Sequence, residues 1–176
     1  MIGGFSNKNN ANDNTSGVAT ILSILGDLPE EQRAKVCIIF FDEEEKGLKG
    51  SQAFLLEHKA TVENMPLINL DCVANGKYLL ISEKNNFYTS DYHDLLEKSI
   101  RSISKQSKNV IVGTSKEYVI PSDHFIFKNS LGISAVHKNP WIGYYLKDVH
   151  TSKDRIFNHE NIKIIKDIML DFIDSL

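Results

Sequence analysis

The spacing of apolar residues along the chain predicts an alternation of helices and strands. Apolar residues recur at helical spacing in four segments, at residues 18–25, 54–56, 92–104 and 162–173. Four apolar runs are typical of buried strands, at residues 36–41, 66–70, 77–82 and 133–136. Because strands alternate with helices, the pattern indicates an α/β fold with a mostly parallel or mixed central sheet flanked by helices.

Local signals sharpen the first part of this pattern. Thr15 or Ser16 is expected to cap the first helix, and Gly26 is expected to end it. Residues 36–41 are continuously apolar, so we expect a strand buried on both faces. Cys37 lies within that run and Cys72 follows the next one, so both are expected to be buried thiols and not a disulfide.

Composition narrows the classes of function. The chain has 176 residues, of which 41% are apolar, enough for one domain with its own core. Its 20 basic and 23 acidic residues leave a net charge of −3, which argues against binding to nucleic acid or to an anionic membrane. No run approaches the roughly 18 apolar residues that span a bilayer. The compartment stays open: no signal peptide is visible at the start, which favours the cytoplasm without deciding for it.

Acidic residues and a histidine stand where a ligand site of an α/β sheet is expected. The strand predicted at 36–41 runs into the acidic residues 42–45, and the next strand ends at Asp71. Asp13 lies in the loop before the first helix, and His150 lies in a late loop. Ligands of open α/β sheets bind beyond the carboxyl ends of the strands. Carboxylates that converge with an imidazole describe a divalent metal site, and a bound cation would relieve their mutual repulsion.

Five short segments carry motifs in a recognisable order. They are Asp-Asn-x-Ser-Gly within residues 10–17, Asp-x-Glu-Glu-x-Gly-Leu-x-Gly-Ser at 42–51, Asn-Leu-Asp within 68–71, Ser-Asp-His-x-x-Phe at 122–127 and His-Thr-x-x-Asp at 150–154. Together they resemble the motifs of the co-catalytic zinc aminopeptidases of peptidase family M28. The resemblance implies a three-layer zinc-peptidase fold and a reaction in which metal-activated water hydrolyses an N-terminal peptide bond.

The resemblance also assigns roles to individual residues. It implies that Asp13 bridges two metal ions, that Glu45 and His150 hold one ion, and that Asp71 holds the other. It implies that Glu44 is the general base. One carboxylate must stay with the metal while its neighbour moves a proton, and adjacent glutamates supply both.

Four further residues near these motifs have open roles. Tyr118 and His124 are candidates to contact the substrate, although His124 also suits packing behind the site. Asp123 is a candidate for substrate binding or for support of the metal ligands. Asp154 is expected to orient the loop or the start of a helix and not to bind the metal.

The chain departs from the family pattern at its start. The family carries a His-x-Asp motif on an earlier strand, and that histidine binds the same metal as the residue matched by Asp71. No histidine precedes Asp13 here, and Glu43 replaces a glycine. We therefore expect residues 1–176 to form a single peptidase domain that lacks the family's N-terminal strands. We expect one tightly bound zinc ion, with a second one less well held.

These departures leave three functions open. The first is a metal-dependent aminopeptidase acting on peptides, impaired by the missing ligand. The second is an enzyme like the single-zinc glutaminyl cyclases, and the third is a non-catalytic remnant that serves as a binding module. The missing strands should also expose an edge of the sheet, so we expect self-association as a homodimer.

Overall fold

The described part of the chain, residues 9–63, 65–85, 91–104, 110–113 and 120–176, contains a mixed sheet flanked by helices in this computed structural model. Its strands are β1 (Leu67–Leu70), β2 (Tyr78–Asn85), β3 (Val110–Gly113), β4 (Asn129–Asn139) and β5 (Gly143–Tyr145). Its α-helices are α1 (Gly17–Asp27), α2 (Glu30–Arg33), α3 (Lys49–Val62), α4 (Asp91–Ser104) and α5 (His159–Asp174). The predicted α/β fold is confirmed.

The order of the strands explains why the sheet is mixed. Four strands lie in the order β1-β4-β2-β3, and β5 pairs with the end of β4. The pairs β1/β4 and β2/β3 are parallel, whereas β2/β4 and β4/β5 are antiparallel. The central strand β4 is therefore parallel to β1 and antiparallel to β2 and β5.

The two faces of β4 separate the layers of the fold. Leu131, Ile133 and Ala135 belong to the apolar core that β4 shares with α1, α4 and α5. Gly132 faces the other way, where a Cβ would lie 2.6 Å from the imidazole of His124. Side chains alternate between the faces of a strand, so the turn that carries His124 covers the second face. Within the described residues, no helix is long and apolar enough to cross a membrane.

The prediction of a strand at residues 36–41 is wrong. These residues form neither a strand nor a helix, although they line cavities together with β1. None of the described strands pairs with this segment, so it takes no part in the sheet. The exposure of Cys37 and of Phe40, 53% for the latter, follows from this lack of a sheet partner. The prediction of a buried Cys37 is therefore also wrong, whereas Cys72 is buried as expected.

The other predicted elements are present, with different ends. Gly26 lies inside α1 and does not end it. The side chain of Ser16 does not cap α1, because its hydroxyl donates to the carbonyl of Asn12; the first helical N–H, that of Gly17, donates to Oδ1 of Asn14 instead. Helix α3 and strand β4 extend beyond their predicted apolar runs. Strands β3 and β5, of four and three residues, were not predicted.

Candidate metal centre

A loop at residues 9–16 presents Asp13 at the carboxyl end of β1. Oδ1 of Asn12 accepts hydrogen bonds from the backbone N–H groups of Ala74 (2.8 Å) and Asn75 (2.9 Å), so the loop is tied to the chain beyond β1. The carboxylate of Asp154 accepts hydrogen bonds from the N–H groups of Asn12 and Asp13. These buried contacts hold Asp13 between two distant segments of the chain.

Glycine lets this loop approach the sheet closely. A Cβ on Gly17 would lie 2.2 Å from the carbonyl oxygen of Leu70. The side-chain amide of Asn14 donates to the same carbonyl at 3.0 Å. The start of α1 can therefore lie directly against the end of β1, where Asp71 begins.

Asp13, Glu45 and His150 meet at one point. Nε2 of His150 lies 2.5 Å from Oε1 of Glu45 and 3.1 Å from Oδ2 of Asp13. One potential ligand atom from each of the three residues lies within 4.8 Å of the others. The structure thus brings together two carboxylates and an imidazole that are up to 137 positions apart in the sequence (150 − 13).

A tight turn brings Glu44 and Glu45 to the site from another side. Both belong to a short 3-10 helix, Glu44–Lys46, that is bounded by Glu43 and Gly47 in the left-handed region, at φ 55° and 91°. Leu48 is also left-handed, at φ 58°. The glycine-punctuated acidic segment is therefore a compact turn, which places two consecutive carboxylates at one end of the fold.

Glu44 is half-buried in a strongly acidic surrounding. Burial and the carboxylates of Asp71 and Glu45 raise the pKa of Glu44 to about 8. The same causes raise the pKa of Asp13 to about 7, where the imidazole of His150 opposes the shift. The cleft around them is lined by seven carboxylates, those of Asp13, Asp42, Glu43, Glu44, Glu45, Asp71 and Asp123. Such crowding of like charges is stable near neutral pH only when protons or cations balance it.

Asp71 lies at the end of β1, next to Cys72. Ser122 and Cys72 hydrogen-bond to the Asp71 carboxylate, but burial dominates and raises the pKa of Asp71. The hydroxyl oxygen of Ser122 also accepts a hydrogen bond of 2.9 Å from the side-chain amide of Asn69. One ligand atom each from Asp13, Asp71 and Cys72 also lies within 4.8 Å of the others.

The four residues whose roles the sequence left open lie in different parts of the structure. Asp123 lines the acidic cleft, where burial raises its pKa and a hydrogen bond to Ser51 opposes the shift. His124 is buried, and its ring lies against Gly132 and the ring of Phe125 and does not line the cleft. Asp154 is fully buried and binds backbone N–H groups. Tyr118 lies outside the described residues.

Sequence reasoning missed three residues that shape the site. Asn12 and Asn14 tie the Asp13 loop to the chain around the end of β1, and Cys72 contributes a thiol next to Asp71. The asparagines flank Asp13 directly, and side chains of this type commonly hydrogen-bond nearby backbone, which was a usable signal. Cys72 gave no such signal, because a cysteine after an apolar strand usually packs as a small apolar residue.

The donor groups fit a divalent cation. Asp13, Glu45 and His150 offer oxygen and nitrogen ligands, a set that zinc takes in catalytic sites with one position left open. Oδ2 of Asp13 is shielded from solvent and has no hydrogen-bond partner among the described residues, although Nε2 of His150 lies 3.1 Å away. A cation would satisfy this buried oxygen, because coordination replaces the missing donor.

The model of peptidase family M28 matches residues 4–173, and the chain belongs to this family. Comparison with curated proteins finds no match.

Several solved structures share the fold. A zinc aminopeptidase from Bacillus subtilis is 21% identical, with a TM-score of 0.63, and the match covers 94% of this chain and 42% of that one. An aminopeptidase from Aneurinibacillus sp. strain AM-1 is also 21% identical, with a TM-score of 0.64, and the match covers 94% and 39%. A glutaminyl cyclase from Bacteroides thetaiotaomicron is 20% identical, with a TM-score of 0.59, and the match covers 95% and 63%. The chain thus spans less than half of the length of these two aminopeptidases.

Proposed function

We propose that the chain is a zinc-dependent aminopeptidase that hydrolyses N-terminal peptide bonds. The observation that carries this proposal is the meeting of Asp13, Glu45 and His150 at one point, with Glu44 lining the same cleft as Asp13 and Glu45. Family membership supports a peptidase, and the similarity to zinc aminopeptidases supports the choice of metal. Asp13, Glu45 and His150 would hold the tightly bound ion.

The residues divide the chemistry between them. A zinc ion in this position would polarise the scissile carbonyl and lower the pKa of an attacking water toward ~7. Glu44 accepts the proton of that water while the water oxygen forms a bond to the carbonyl carbon. The C–N bond then breaks, and Glu44 passes the proton to the leaving amine. A carboxylate with a raised pKa suits both transfers, because it accepts and releases a proton near neutral pH.

The charge of the cleft favours a substrate with a positive end. Carboxylates dominate the lining of the cleft. Among the described residues that line it, Lys46 is the one basic residue. The free α-amino group of a peptide is a cation or becomes one there, so the acidic lining attracts it. Asp123 lies in this cleft outside the Asp13, Glu45 and His150 group, and we propose that it contacts the amino group.

Hydrolysis of aminoacyl chromogenic substrates tests the proposal. The purified chain is incubated with a panel of aminoacyl nitroanilides before and after removal of metal by a chelator. We expect release of nitroaniline that a chelator abolishes and that zinc restores. Absence of hydrolysis over the whole panel, with zinc bound in stoichiometric amount, would contradict an aminopeptidase.

A second candidate is a single-zinc glutaminyl cyclase. The observation that favours it is the composition of the main site, one Asp, one Glu and one His, which suffices for one ion. The share of the Bacteroides cyclase that is covered, 63%, also exceeds the 42% of the Bacillus enzyme. A cyclase would form a ring and release ammonia from peptides with N-terminal glutamine, and would leave nitroanilides of other residues intact. A chain that binds zinc and turns over neither substrate would instead be a binding module.

A further inference from the structure

Asn75 is a buried residue, 2% exposed, that connects three separate segments of the chain. Its backbone N–H donates to Oδ1 of Asn12 at 2.9 Å. Its Nδ2 donates to the carbonyl oxygen of Lys147 at 3.1 Å, and its Oδ1 lies 3.3 Å from Nε2 of His137. Asn75 therefore joins the loop at residues 9–16, the segment that follows β5 and the end of β4.

The two side-chain contacts fix the orientation of the amide. The carbonyl oxygen of Lys147 can only accept, so the nitrogen of Asn75 must face it. The amide oxygen then faces His137, which donates when its Nε2 carries a proton. The ring of His137 packs beside that of Tyr145, with 5.9 Å between the centroids. Asparagine suits this position because one short side chain supplies both a donor and an acceptor.

The neighbours of Asn75 in the sequence hold it in place. The carbonyl of Ala74 accepts a hydrogen bond of 3.2 Å from the N–H of Asn158. Gly76 lies so close to β4 that a Cβ on it would be 2.2 Å from a backbone nitrogen of that strand. The side-chain amide of Asn161 donates to the carbonyl of Gly76 at 3.0 Å. Asn75 is therefore a fixed point from which another segment can be positioned.

The turn that carries His150 needs such support. Asp148 and His150 both adopt the left-handed region, at φ 63° and 60°. Residues other than glycine remain in this region only where the surrounding structure holds them. Within the turn, the N–H and the hydroxyl of Thr151 both donate to the carbonyl of Asp148, at 3.2 and 2.7 Å. These contacts close the turn, but they do not attach it to the rest of the fold.

The attachment comes from both ends of the turn and leads to the loop at residues 9–16. After the turn, the carboxylate of Asp154 accepts from the N–H of Asn12 at 2.8 Å. Before the turn, the carbonyl of Lys147 accepts from Asn75, whose own N–H donates to Oδ1 of Asn12. The contacts thus form a closed ring that contains two of the three proposed zinc ligands.

We propose that Asn75, oriented by His137, is a positioning residue that holds His150 in the geometry in which it binds zinc. Asn75 acts through the carbonyl of Lys147 and does not itself touch the metal. Without this contact the turn would have to be ordered when zinc binds, and the affinity would fall because a site that is ordered in advance binds more tightly. The inference rests on the proposed zinc site and does not require that hydrolysis occurs.

Isothermal titration of Asn75→Asp with zinc tests this role. Aspartate keeps the shape of the side chain and an acceptor toward His137, but it offers no donor to the carbonyl of Lys147. We expect about tenfold weaker zinc binding, at the lower end of the range for loss of a group that supports a metal ligand. The added negative charge attracts cations, so it cannot be the cause of weaker binding. Equal zinc affinity in Asn75→Asp and the wild type would overturn the proposal.

Asn161→Asp is the matched control. Asn161 is also 2% exposed, and its amide also donates to a backbone carbonyl. Its replacement should lower Tm, as that of Asn75 does, and should leave zinc affinity unchanged. Equal losses of zinc affinity in the two variants would show a general loss of structure and would overturn the proposal.

A double-mutant cycle shows whether the effect passes through His150. In a His150→Asn background, Asn75→Asp should cause no further loss of zinc affinity, because the ligand that it positions is absent. In a Glu45→Gln background the tenfold effect should remain, because Glu45 lies on a different turn. Equal effects of Asn75→Asp in both backgrounds would overturn the proposal.

Cobalt(II) in place of zinc adds a spectroscopic measurement, because its visible bands depend on the geometry of the ligands. The bands of Asn75→Asp should differ from those of the wild type, whereas those of Asn161→Asp should not. If Asn75→Asp fails to fold, His137→Phe decides, since it keeps a ring beside Tyr145 but cannot orient the amide. We expect His137→Phe to bind zinc more weakly than the wild type, and an unchanged affinity would overturn the proposal.

The outcomes separate this inference from the proposed reaction. Weaker zinc binding in Asn75→Asp, in a chain that hydrolyses no peptide bond, would sustain the positioning role and reject the peptidase. Hydrolysis by the wild type with unchanged zinc affinity in Asn75→Asp would do the reverse. A wild-type chain that binds no zinc would overturn both.

Discussion

The buried carboxylate of Asp154 holds the backbone of Asp13 in place. Its Oδ2 accepts a hydrogen bond of 3.0 Å from the N–H of Asp13, and its Oδ1 accepts one of 2.8 Å from the N–H of Asn12. The carbonyl oxygen of Asp154 accepts a third, from Ala11 at 3.3 Å. A residue close to His150 in the sequence thus positions a proposed ligand from the other end of the chain.

Asp154→Asn should loosen the Asp13 loop. The amide has one acceptor oxygen and turns an NH₂ group toward a backbone N–H, which leaves buried donors unsatisfied at a cost of about 1–3 kcal/mol. We expect a lower free energy of unfolding in urea and a weaker affinity for zinc, since Asp13 would be less well placed. Asp171→Asn, an exposed position on α5, serves as the control and should change neither. Unchanged zinc affinity in Asp154→Asn would reject the positioning role.

Glu44→Gln should separate metal binding from turnover. The amide keeps the shape of the side chain but cannot accept the proton of the attacking water. We expect zinc content to stay unchanged and kcat to fall by about 10²–10⁴-fold, the range for loss of a general base. Glu57→Gln on the exposed side of α3 is the control. A wild-type kcat in Glu44→Gln would show that Glu44 is not the base.

His150→Asn should remove the metal and the activity together. His150 supplies the imidazole of the main cluster, with Glu45 2.5 Å from its Nε2. We expect zinc affinity to fall by more than about 100-fold, because loss of an outer partner alone costs about 10–100-fold. Isothermal titration against zinc measures the change, and His159→Asn, exposed at the start of α5, is the control. Equal zinc affinity in both variants would place the ion elsewhere.

The predictable and unpredictable parts of this molecule differ in physical origin. Helix α4 and strand β1 were predicted because periodicity and apolar runs are local signals. The strand at residues 36–41 was predicted wrongly because an apolar run becomes a strand only when it pairs with a neighbour, and this segment pairs with none of the described strands. The approach of His150 to Asp13 depends on packing across the whole sheet, so spacing alone could not reveal it, although the motif order did point to both residues. The position of the Cys72 side chain beside Asp71 depends on the left-handed backbone of Cys72, which no local sequence pattern predicts.

The stability of the metal-free protein should fall as the pH rises. Burial and like charges raise the pKa of Asp13 from 3.8 to about 7 and that of Glu44 from 4.5 to about 8. Between about pH 4 and about pH 8 the folded state therefore binds more protons than the unfolded state. The free energy of unfolding decreases as the pH rises through this range. Calorimetry in the presence of a chelator should show a falling Tm across this window.

Two further measurements check the cause of this pH dependence. Glu44→Gln removes one of the two titrating groups, so its metal-free Tm should depend less on pH and should exceed that of the wild type near pH 8. Zinc competes with protons for the carboxylates and should stabilise the protein more at pH 8 than at pH 5. A metal-free Tm that rises between pH 5 and pH 8 in the wild type would contradict the raised pKa values.

The open side of β1 leads to a prediction about self-association. Among the described strands β1 pairs with β4 alone, and a cavity of about 480 Å³ lies between β1 and residues 36–41. Ile39, Phe41, Leu67 and Ile68 contribute to its lining, and the neighbouring Phe40 is 53% exposed. Unpaired strand edges beside exposed apolar residues favour pairing with another chain. We therefore propose that two copies associate through this edge.

Sedimentation over a range of concentrations tests this association. We expect the wild type to shift from monomer toward dimer as its concentration rises, because the second copy supplies backbone partners and covers apolar surface. Phe40→Lys should weaken the dimer, since its charge would have to lose water at the interface. Ile142→Lys, which replaces an apolar residue that is 67% exposed next to β5, is the matched control and should leave the dimer intact. A wild-type chain that stays monomeric at the highest concentration, or equal effects of both lysines, would show that the β1 edge is not the interface.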